Sequence, residues 1–244
     1  MELAPRVHSI GPTSAGLLKG GYVHAYLIEE ESGELTLVDT GWDDDAHVIL
    51  NYLCSIGRSV TELRHIAITH AHRSHLGGLA TLQGLSGATV YAHRAEAPII
   101  EGHKRARPVS LSPTYWRPLV LDPFRILGLL DLPKHVPCEV TERLGDYDKG
   151  PIGELEIIFT PGHTDGHLAF FHEEHRVLIA GDAVATWPSF SAGWPGFNED
   201  QELFLHSLSR LVHWPTRPDY VGTGHGDPIR NADPTRLESL LPAL

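Results

Sequence analysis

The sequence predicts an α+β sandwich, in which two β-sheets pack face to face and helices cover them. Short segments rich in β-branched and aromatic residues occur in two runs, and stretches with apolar residues every three or four positions lie between them. The chain has 244 residues and is 41% hydrophobic, which is enough apolar material for a large core. No repeat or linker divides it, so we expect a single domain over residues 1–244.

Two strands and a helix are predicted in the N-terminal third. Residues 22–28 are rich in aromatic and β-branched side chains, and residues 35–38 repeat this pattern after a polar connection. Residues 43–56 carry apolar side chains at helical spacing and three aspartates at their start, where the helix dipole favours negative charge. Gly57 ends this helix, and Cys54 within it is interpreted as a buried core thiol.

Strands and helices also alternate along the rest of the chain. Further strands are predicted at residues 65–69, 88–92, 139–144, 155–159, 168–171, 177–180 and around 220–221, and further helices at residues 76–82, 95–101 and 200–211. Residues 103–137 differ, because prolines separate their short apolar pieces. We interpret them as an irregular, proline-rich insertion that caps the domain.

The composition argues against several classes of partner. Lys and Arg number 19 against 31 Asp and Glu, and the net charge of −12 is unfavourable for binding nucleic acid or an anionic membrane. No apolar run approaches the ~20 residues of a membrane span, and the first residues do not resemble a secretory signal. Two cysteines cannot form a disulfide framework, so we expect a cytoplasmic protein that acts on a small molecule. This composition is also compatible with a homo-oligomer.

Histidines and one aspartate follow the predicted strands. Three segments with this arrangement are THAHRSHLGG (residues 69–78), TPGHTDGH (residues 160–167) and GTGHGD (residues 222–227). Three histidines within six residues cannot all enter a core, and His70 and His72 face the same side of an extended chain. Asp182 ends a further strand. Because imidazole is the commonest protein ligand of zinc and a carboxylate can bridge two cations, these segments predict a metal site.

For most of the 17 histidines, a hydrogen-bonded or solvent-facing role is the simpler expectation. The histidines without supporting context are His8, His47, His103, His135, His172, His175, His206 and His213. His167 fits the sheet side of its loop, and His24 lies in the middle of a predicted strand.

The three segments, together with AGDAV, resemble the metallo-β-lactamase superfamily of metal-dependent hydrolases over about residues 20–230. The resemblance implies a four-layer αββα sandwich with the metal site at the edge between the sheets. It also implies a ligand set: His70, His72 and His163 for a first metal, His75 and His225 for a second, and Asp182 bridging the two. Asp39 matches a family position beside the site.

One position departs from the family pattern. The motif usually reads His-x-His-x-Asp-His, and this chain has Ser74 in place of the aspartate. In the family that carboxylate ligates the second metal and orients the metal-bound hydroxide. A neutral hydroxyl is a poor ligand and a poor base at pH 7, so a weaker second site is predicted. Asp182 and Ser74 are the candidate catalytic residues.

The predicted reaction is hydrolysis by a metal-bound hydroxide. A divalent cation lowers the pKa of bound water towards 7 and polarises an ester-like oxygen. The chain has no G-x-S-x-G nucleophile elbow and no dinucleotide or P-loop fingerprint. We expect one or two zinc ions per chain, with iron and manganese as the other candidate metals.

Aromatic residues near the predicted ligands bear on the substrate. Residues 186–197 hold four aromatic side chains, and with Tyr115, Trp116 and Phe124 they form either an apolar wall over the metal or ordinary loop anchors. A wall would favour an uncharged ester, lactone or thioester. Only about 17 residues follow Asp227, too few for the C-terminal helical domain of glyoxalase II-like thioesterases. A lactone or general carboxylic ester is therefore the first choice.

Two alternatives from other classes stay open. His72, His163 and Asp182 also fit a mononuclear iron site, as in a sulfur dioxygenase-like oxidoreductase of the same fold. The second alternative is a metal-binding relative with little or no turnover, because Ser74 replaces the aspartate. Metal analysis and substrate tests separate the three hypotheses.

Overall fold

Two β-sheets pack face to face between two layers of helices, which confirms the predicted α+β, αββα sandwich. The structure is a computed structural model that describes residues 1–13, 22–106, 135–193 and 197–242. Within these ranges, no helix is long and apolar enough to cross a membrane. Most of the predicted insertion, residues 107–134, lies outside the described residues, as do Tyr115, Trp116, Phe124 and Trp194.

The first sheet follows the order of the chain. Its strands in the described residues are β1 (Glu2–Ala4), β2 (Val7–Ile10), β3 (Ala25–Glu29), β4 (Leu35–Val38), β5 (Leu63–Ala67), β6 (Thr89–His93) and β7 (Glu142–Leu144). The pairs from β1 to β4 are antiparallel, and those from β4 to β7 are parallel. The parallel strands β4 and β5 end at the same edge, because parallel neighbours run in one direction.

The second sheet carries the later strands. They are β8 (Leu155–Phe159), β9 (Leu168–His172), β10 (Val177–Ala185), β11 (Ser191–Ala192), β12 (Tyr220–His225) and β13 (Ile229–Arg230). Their spatial order is β13-β12-β10-β9-β8, with β11 paired to β10, and β10 and β12 run parallel. The helices are α1 (His47–Ser55), α2 (Arg73–Leu76), α3 (Leu79–Ser86), α4 (Ala97–Ile100), α5 (Gln201–Val212) and α6 (Pro234–Glu238), with a 3₁₀ turn over Val60–Glu62.

Three clusters of buried apolar side chains join the four layers. One joins α1, α3 and α4 to the outer face of the first sheet, and a second fills the space between the sheets around Tyr26 and Phe170. The third joins the second sheet to α5 and α6 around Phe204. Burial of each large side chain contributes about 1.5–3 kcal/mol, so these clusters hold the layers together.

Tyr26 makes a polar contact between the two sheets. Its hydroxyl is buried and donates a hydrogen bond to the carbonyl oxygen of Thr223 at 2.7 Å, which joins β3 to β12. Burial raises the pKa of Tyr26, so the hydroxyl keeps its proton as a donor. A side chain at Gly222 would approach the Tyr26 ring to 2.7 Å, so the tyrosine fits only against glycine.

We expect Tyr26→Phe to lower the free energy of unfolding by about 1–2 kcal/mol, because it leaves the buried Thr223 carbonyl without this donor. Urea unfolding followed by circular dichroism measures the change. Tyr147→Phe is the matched control, since the Tyr147 side chain is exposed. Equal stability of the two variants would contradict the proposed role of the Tyr26 hydroxyl.

The structure corrects the prediction for the first helix. Helix α1 begins at His47 rather than at residue 43, because Ala46 adopts a left-handed conformation with φ 52°. The three aspartates therefore precede the helix and do not occupy its first turn. The prediction that Cys54 is buried was wrong: Ile49 and Leu53 face the core, and the Cys54 side chain is exposed.

Two other local predictions also change. The single helix predicted at residues 76–82 is two helices, α2 and α3, separated at Gly77 and Gly78. A Cβ at Gly77 would overlap the backbone carbonyl of Trp42, so the backbone packs too closely there for any side chain. Strand β10 continues to Ala185, which places Asp182 inside a strand rather than at its end.

Candidate metal centre

Five histidines and Asp182 meet at one edge of the sandwich. Segments after the strands of the first sheet supply three of these six residues, and the second sheet supplies the other three. His70 and His72 follow β5, and His75 lies on α2 directly after them. In the second sheet His163 follows β8, Asp182 lies in β10 and His225 ends β12. The structure thus brings all six sequence-predicted ligands together.

The first group consists of His70, His72, His163 and Asp182. The Nδ1 atom of His72 lies 2.9 Å from Nε2 of His70 and 3.1 Å from Nε2 of His163. An Asp182 oxygen lies 3.3 Å from His163 Nε2 and 3.7 Å from His70 Nε2. Four ligands at tetrahedral positions around zinc stand about 3.3 Å apart. The four donors therefore fit a tetrahedral cation.

The second group consists of His75, His225 and the same Asp182. The Nε2 atoms of His75 and His225 each lie 3.3 Å from an oxygen of Asp182. His75 Nε2 and Asp182 Oδ1 are buried and make no hydrogen bond. Buried polar atoms without hydrogen-bond partners are rare, so these atoms fit a shared cation.

Burial and neighbouring charges set the protonation of the ligands. Burial, together with the nearby histidines, lowers the pKa of His70 and His72 well below the ordinary value, so both offer a lone pair. Burial also disfavours charge on His75, but Asp39 and Asp182 outweigh this effect and raise its pKa to about 10. Burial favours neutral Asp182, whereas His225 and His75 hold its pKa well below the ordinary range. Asp182 is therefore a carboxylate.

Hydrogen bonds behind the ligands fix which ring nitrogen faces the centre. Asp39 accepts from the Thr69 hydroxyl at 2.8 Å and pairs with His75 Nδ1 at 2.8 Å. Because the Thr69 hydroxyl donates to Asp39, its oxygen accepts from His70 Nδ1 at 3.0 Å. These bonds direct Nε2 of His75 and His70 towards the centre, the usual arrangement behind metal-bound histidine, and His75 would release its Nε2 proton when a cation binds.

Asn198 has the same role for His163 and was not predicted. Its Oδ1 lies 3.0 Å from His163 Nδ1, which leaves His163 Nε2 facing the centre. Asn198 is buried and stands 35 residues from its partner in the chain. It lies in no histidine segment, so only the fold reveals the contact.

His167 is buried next to the first group but belongs to neither group. Burial, aided by His163, lowers its pKa to about 3, so the ring is neutral. Its Nε2 accepts the Asp182 backbone N–H at 3.2 Å, and its Nδ1 pairs with the Thr160 hydroxyl at 2.8 Å. The ring holds the backbone of Asp182.

Ser74 and His24 lie outside both groups. Ser74 is buried on α2, one residue before His75, and its catalytic role stays a prediction. His24 Nδ1 lies 2.8 Å from the hydroxyl of Ser9, and its Nε2 lies 3.9 Å from Asp227. His24 therefore belongs to neither ligand group, and its closest polar side-chain contact is Ser9.

The family model described as "Metallo-beta-lactamase superfamily" matches residues 18–225, most of the chain. The chain belongs to the metallo-β-lactamase superfamily. This confirms the resemblance carried by the histidine segments.

Relatives named as hydrolases match most of the chain. The probable metallo-hydrolase YflN of Bacillus subtilis is 30% identical over 223 residues, which cover 85% of this chain and 81% of that protein. An N-acyl homoserine lactonase of Bacillus thuringiensis is 27% identical over 78% of this chain and 74% of its own. A metallo-β-lactamase family protein of Thermus thermophilus superimposes with a TM-score of 0.69 and 27% identity, over 98% of this chain and 79% of that one. The comparisons support the general prediction of a metal-dependent hydrolase.

A small cleft lies beside His72 of the first ligand group. It is lined by Ile99, Lys104, Ala106 and Thr164 among others. His72 is partly exposed, whereas the other five ligand side chains are buried. Among the ligands of the first group, His72 is therefore the one that can be reached from outside.

Two aromatic residues of the predicted wall anchor their loop instead. Trp187 packs on Tyr22 with ring centroids 5.6 Å apart. Phe190 packs against the core of the second sheet and under the guanidinium of Arg236. These contacts favour the loop-anchor interpretation for both residues.

A third cluster of possible ligands, Glu154, His172 and Glu174, lies away from this site. Arg6 contacts Glu154 at 3.1 Å and Glu174 at 2.5 Å, so a guanidinium already pairs with both carboxylates. The negative charge of this cluster is therefore balanced by Arg6 without a metal.

We expect Asp39→Asn to weaken zinc binding by about 10–100-fold, most strongly at the second group, because Asp39 orients His75 directly. Competition with a fluorescent chelator measures both affinities. Asp45→Asn serves as control, since the exposed Asp45 carboxylate contacts His47 rather than a ligand. Wild-type affinities in Asp39→Asn would refute the orienting role.

Proposed function

We propose that the protein is a zinc-dependent hydrolase of an uncharged carboxylic ester or lactone. The observation that carries the proposal is the first group, where three imidazoles and the Asp182 carboxylate converge while His72 stays open to a cleft. When bound there, zinc supplies a Lewis acid that lowers the pKa of water towards 7 and polarises a substrate carbonyl. Catalytic zinc takes a water or substrate beside its protein ligands, and the partly exposed edge of His72 is where a fifth ligand would approach the four donors.

The donor set favours zinc over iron. Non-haem iron oxygenases use two histidines and one carboxylate with open positions. Here His70 Nε2 lies 2.9 Å from His72 Nδ1, so a third imidazole joins His72 and His163 around the same point. Three imidazoles are a common ligand set of catalytic zinc.

Asp182 and Ser74 contribute differently to the proposed reaction. Asp182 supplies the only carboxylate of the two groups in the described chain, and it compensates positive charge in both. Ser74 adds a neutral donor and acceptor beside His75, but no charge. The proposal therefore assigns the main electrostatic role to Asp182 and predicts modest turnover while position 74 is serine.

The cleft and the surface charge define the substrate class. Ile99 and Ala106 offer apolar contact to an acyl group, and the charged side chains of the lining are of both signs, with Lys104 beside Asp165 and Glu199 in the same set. The net charge of −12 opposes a polyanionic substrate. A small, uncharged carbonyl compound fits both observations.

The named relatives support lactones before thioesters. The match with the N-acyl homoserine lactonase covers 74% of that protein. A hydroxyacylglutathione hydrolase of Maricaulis maris is 30% identical, but the chain spans 58% of its length. The chain therefore matches a larger share of the length of the lactonase than of the hydroxyacylglutathione hydrolase.

The test is turnover of an activated aryl ester, an acyl lactone, a thioester and a phosphodiester, each with Zn²⁺, Mn²⁺ or Fe²⁺. We expect zinc to support the ester or lactone most strongly. Elemental analysis of the same samples relates turnover to metal content. Thiol-dependent oxygen uptake with iron, or no carbonyl turnover at full zinc loading, would overturn the proposal.

A further inference from the structure

Glu96 connects the two loops that carry the first ligand group. Its side chain is 2% exposed and lies directly before α4. One carboxylate oxygen accepts the backbone N–H of Ala71 at 2.8 Å, and the other accepts the backbone N–H of Gly166 at 2.8 Å. Ala71 stands between His70 and His72, and Gly166 stands three residues after His163.

The two loops come from different sheets. The loop with His72 follows β5 of the first sheet, whereas the loop with His163 follows β8 of the second. The Glu96 carboxylate therefore bridges them close to the ligands, and the backbone N–H of Leu168 donates to the Thr69 carbonyl at 2.8 Å as a second link. Because each oxygen accepts one backbone N–H, the side chain holds both loops at once.

Gly166 allows the carboxylate to come this close. A Cβ at this position would lie 2.8 Å from both Cγ and Oε1 of Glu96. Any side chain at residue 166 would push the carboxylate away from its two donors. The observed position of the Glu96 carboxylate therefore requires glycine at position 166.

We propose that Glu96 is a positioning residue that sets the separation of His72 from His163 and thereby the metal affinity of the first group. The inference rests on the metal site of the proposed function. Glu96 lies outside both ligand groups. It acts on the ligands through the backbone N–H groups of Ala71, in the His72 loop, and Gly166, in the His163 loop. Outer-shell partners of this kind are worth about 10–100-fold in metal affinity.

Glu96→Gln tests the inference, because glutamine keeps the shape but has one acceptor oxygen. Its amide NH₂ would face one of the two backbone N–H donors, so only one loop stays attached. We expect zinc affinity at the first group to fall by about 10–100-fold, measured by chelator competition. The visible spectrum of the cobalt(II)-substituted protein should also change, because it reports ligand geometry.

Glu101→Gln is the matched control. Glu101 lies five residues further on, and its side chain is 8% exposed. It also accepts a backbone N–H, from Val140 at 3.2 Å, and pairs with Arg143 at 2.7 Å, but neither segment carries a ligand. We expect Glu101→Gln to lower stability without changing zinc affinity or the cobalt spectrum.

A second variant keeps the test decisive if Glu96→Gln does not fold. Glu96→Asp retains the charge but is one methylene too short to reach both donors, so it should also weaken zinc binding. Unchanged zinc affinity in a folded Glu96 variant, or an equal loss in Glu101→Gln, would overturn the inference. A wild-type protein without zinc affinity would instead overturn the proposed function on which it rests.

Discussion

His72→Ala is expected to remove tight metal binding from the first group and to lower kcat/KM by at least about 10³-fold. His72 Nδ1 is the ligand atom that lies close to both His70 and His163. Its removal leaves the first group with two imidazoles and one carboxylate oxygen as ligands. Metal catalysis contributes several kcal/mol, and about 4 kcal/mol corresponds to about 10³ in rate. Elemental analysis after dialysis and steady-state kinetics measure the two effects.

His47→Ala is the control for this variant, because the His47 side chain is exposed on α1 and contacts Asp45 rather than the ligands. It should keep both metal and activity. Full zinc content in His72→Ala would remove the basis for assigning His72 to the metal site.

Ser74→Asp is expected to raise the occupancy of the second group and to increase turnover. The second group has only Asp182 as a carboxylate, and that residue is shared with the first group. Ser74 is buried one residue before His75, so an aspartate there would add negative charge close in the chain to a second-group ligand and favour a bound cation. An added group that orients water and transfers its proton is worth about 10²–10⁴ in rate.

The wild-type protein should accordingly keep less than one second-group metal per chain after dialysis, and Ser74→Asp should approach two metals in total. Ser74→Asn is the matched control, since asparagine has the shape of aspartate without its charge. Two tightly held metals in the wild type, with no change in Ser74→Asp, would show that serine does not weaken the second group.

The ligand segments were predictable because each is local in the sequence. His70 and His72 stand two residues apart after a buried strand, and this spacing predicted that they face the same side, while the resemblance to the family assigned them to one metal. Asn198 and Glu96 had no such pattern, because each meets its partner only after the sheets have packed. Their roles depend on contacts across many residues, which periodicity cannot report.

Other differences arise where packing overrides local preference. Strands β1 and β2 were not predicted, since they are only three and four residues long and depend on pairing, β2 with β3 and β1 with β2. The break between α2 and α3 follows from the close approach of Gly77 to Trp42. Cys54 was assigned to the core by its apolar neighbours, although it lies one position beyond the buried Leu53.

The division of the six ligands between the two sheets makes a bound cation a cross-link between the halves of the chain. The first half supplies His70, His72 and His75, and no cation can be fully coordinated until the second half has docked. Binding is then part of the folding equilibrium, and free zinc at about 100 times its Kd would add about 2.7 kcal/mol to the folded state. Adding a chelator should therefore lower Tm, and restoring zinc should return it. The thermal stability of such a protein therefore depends on the concentration of free zinc around it.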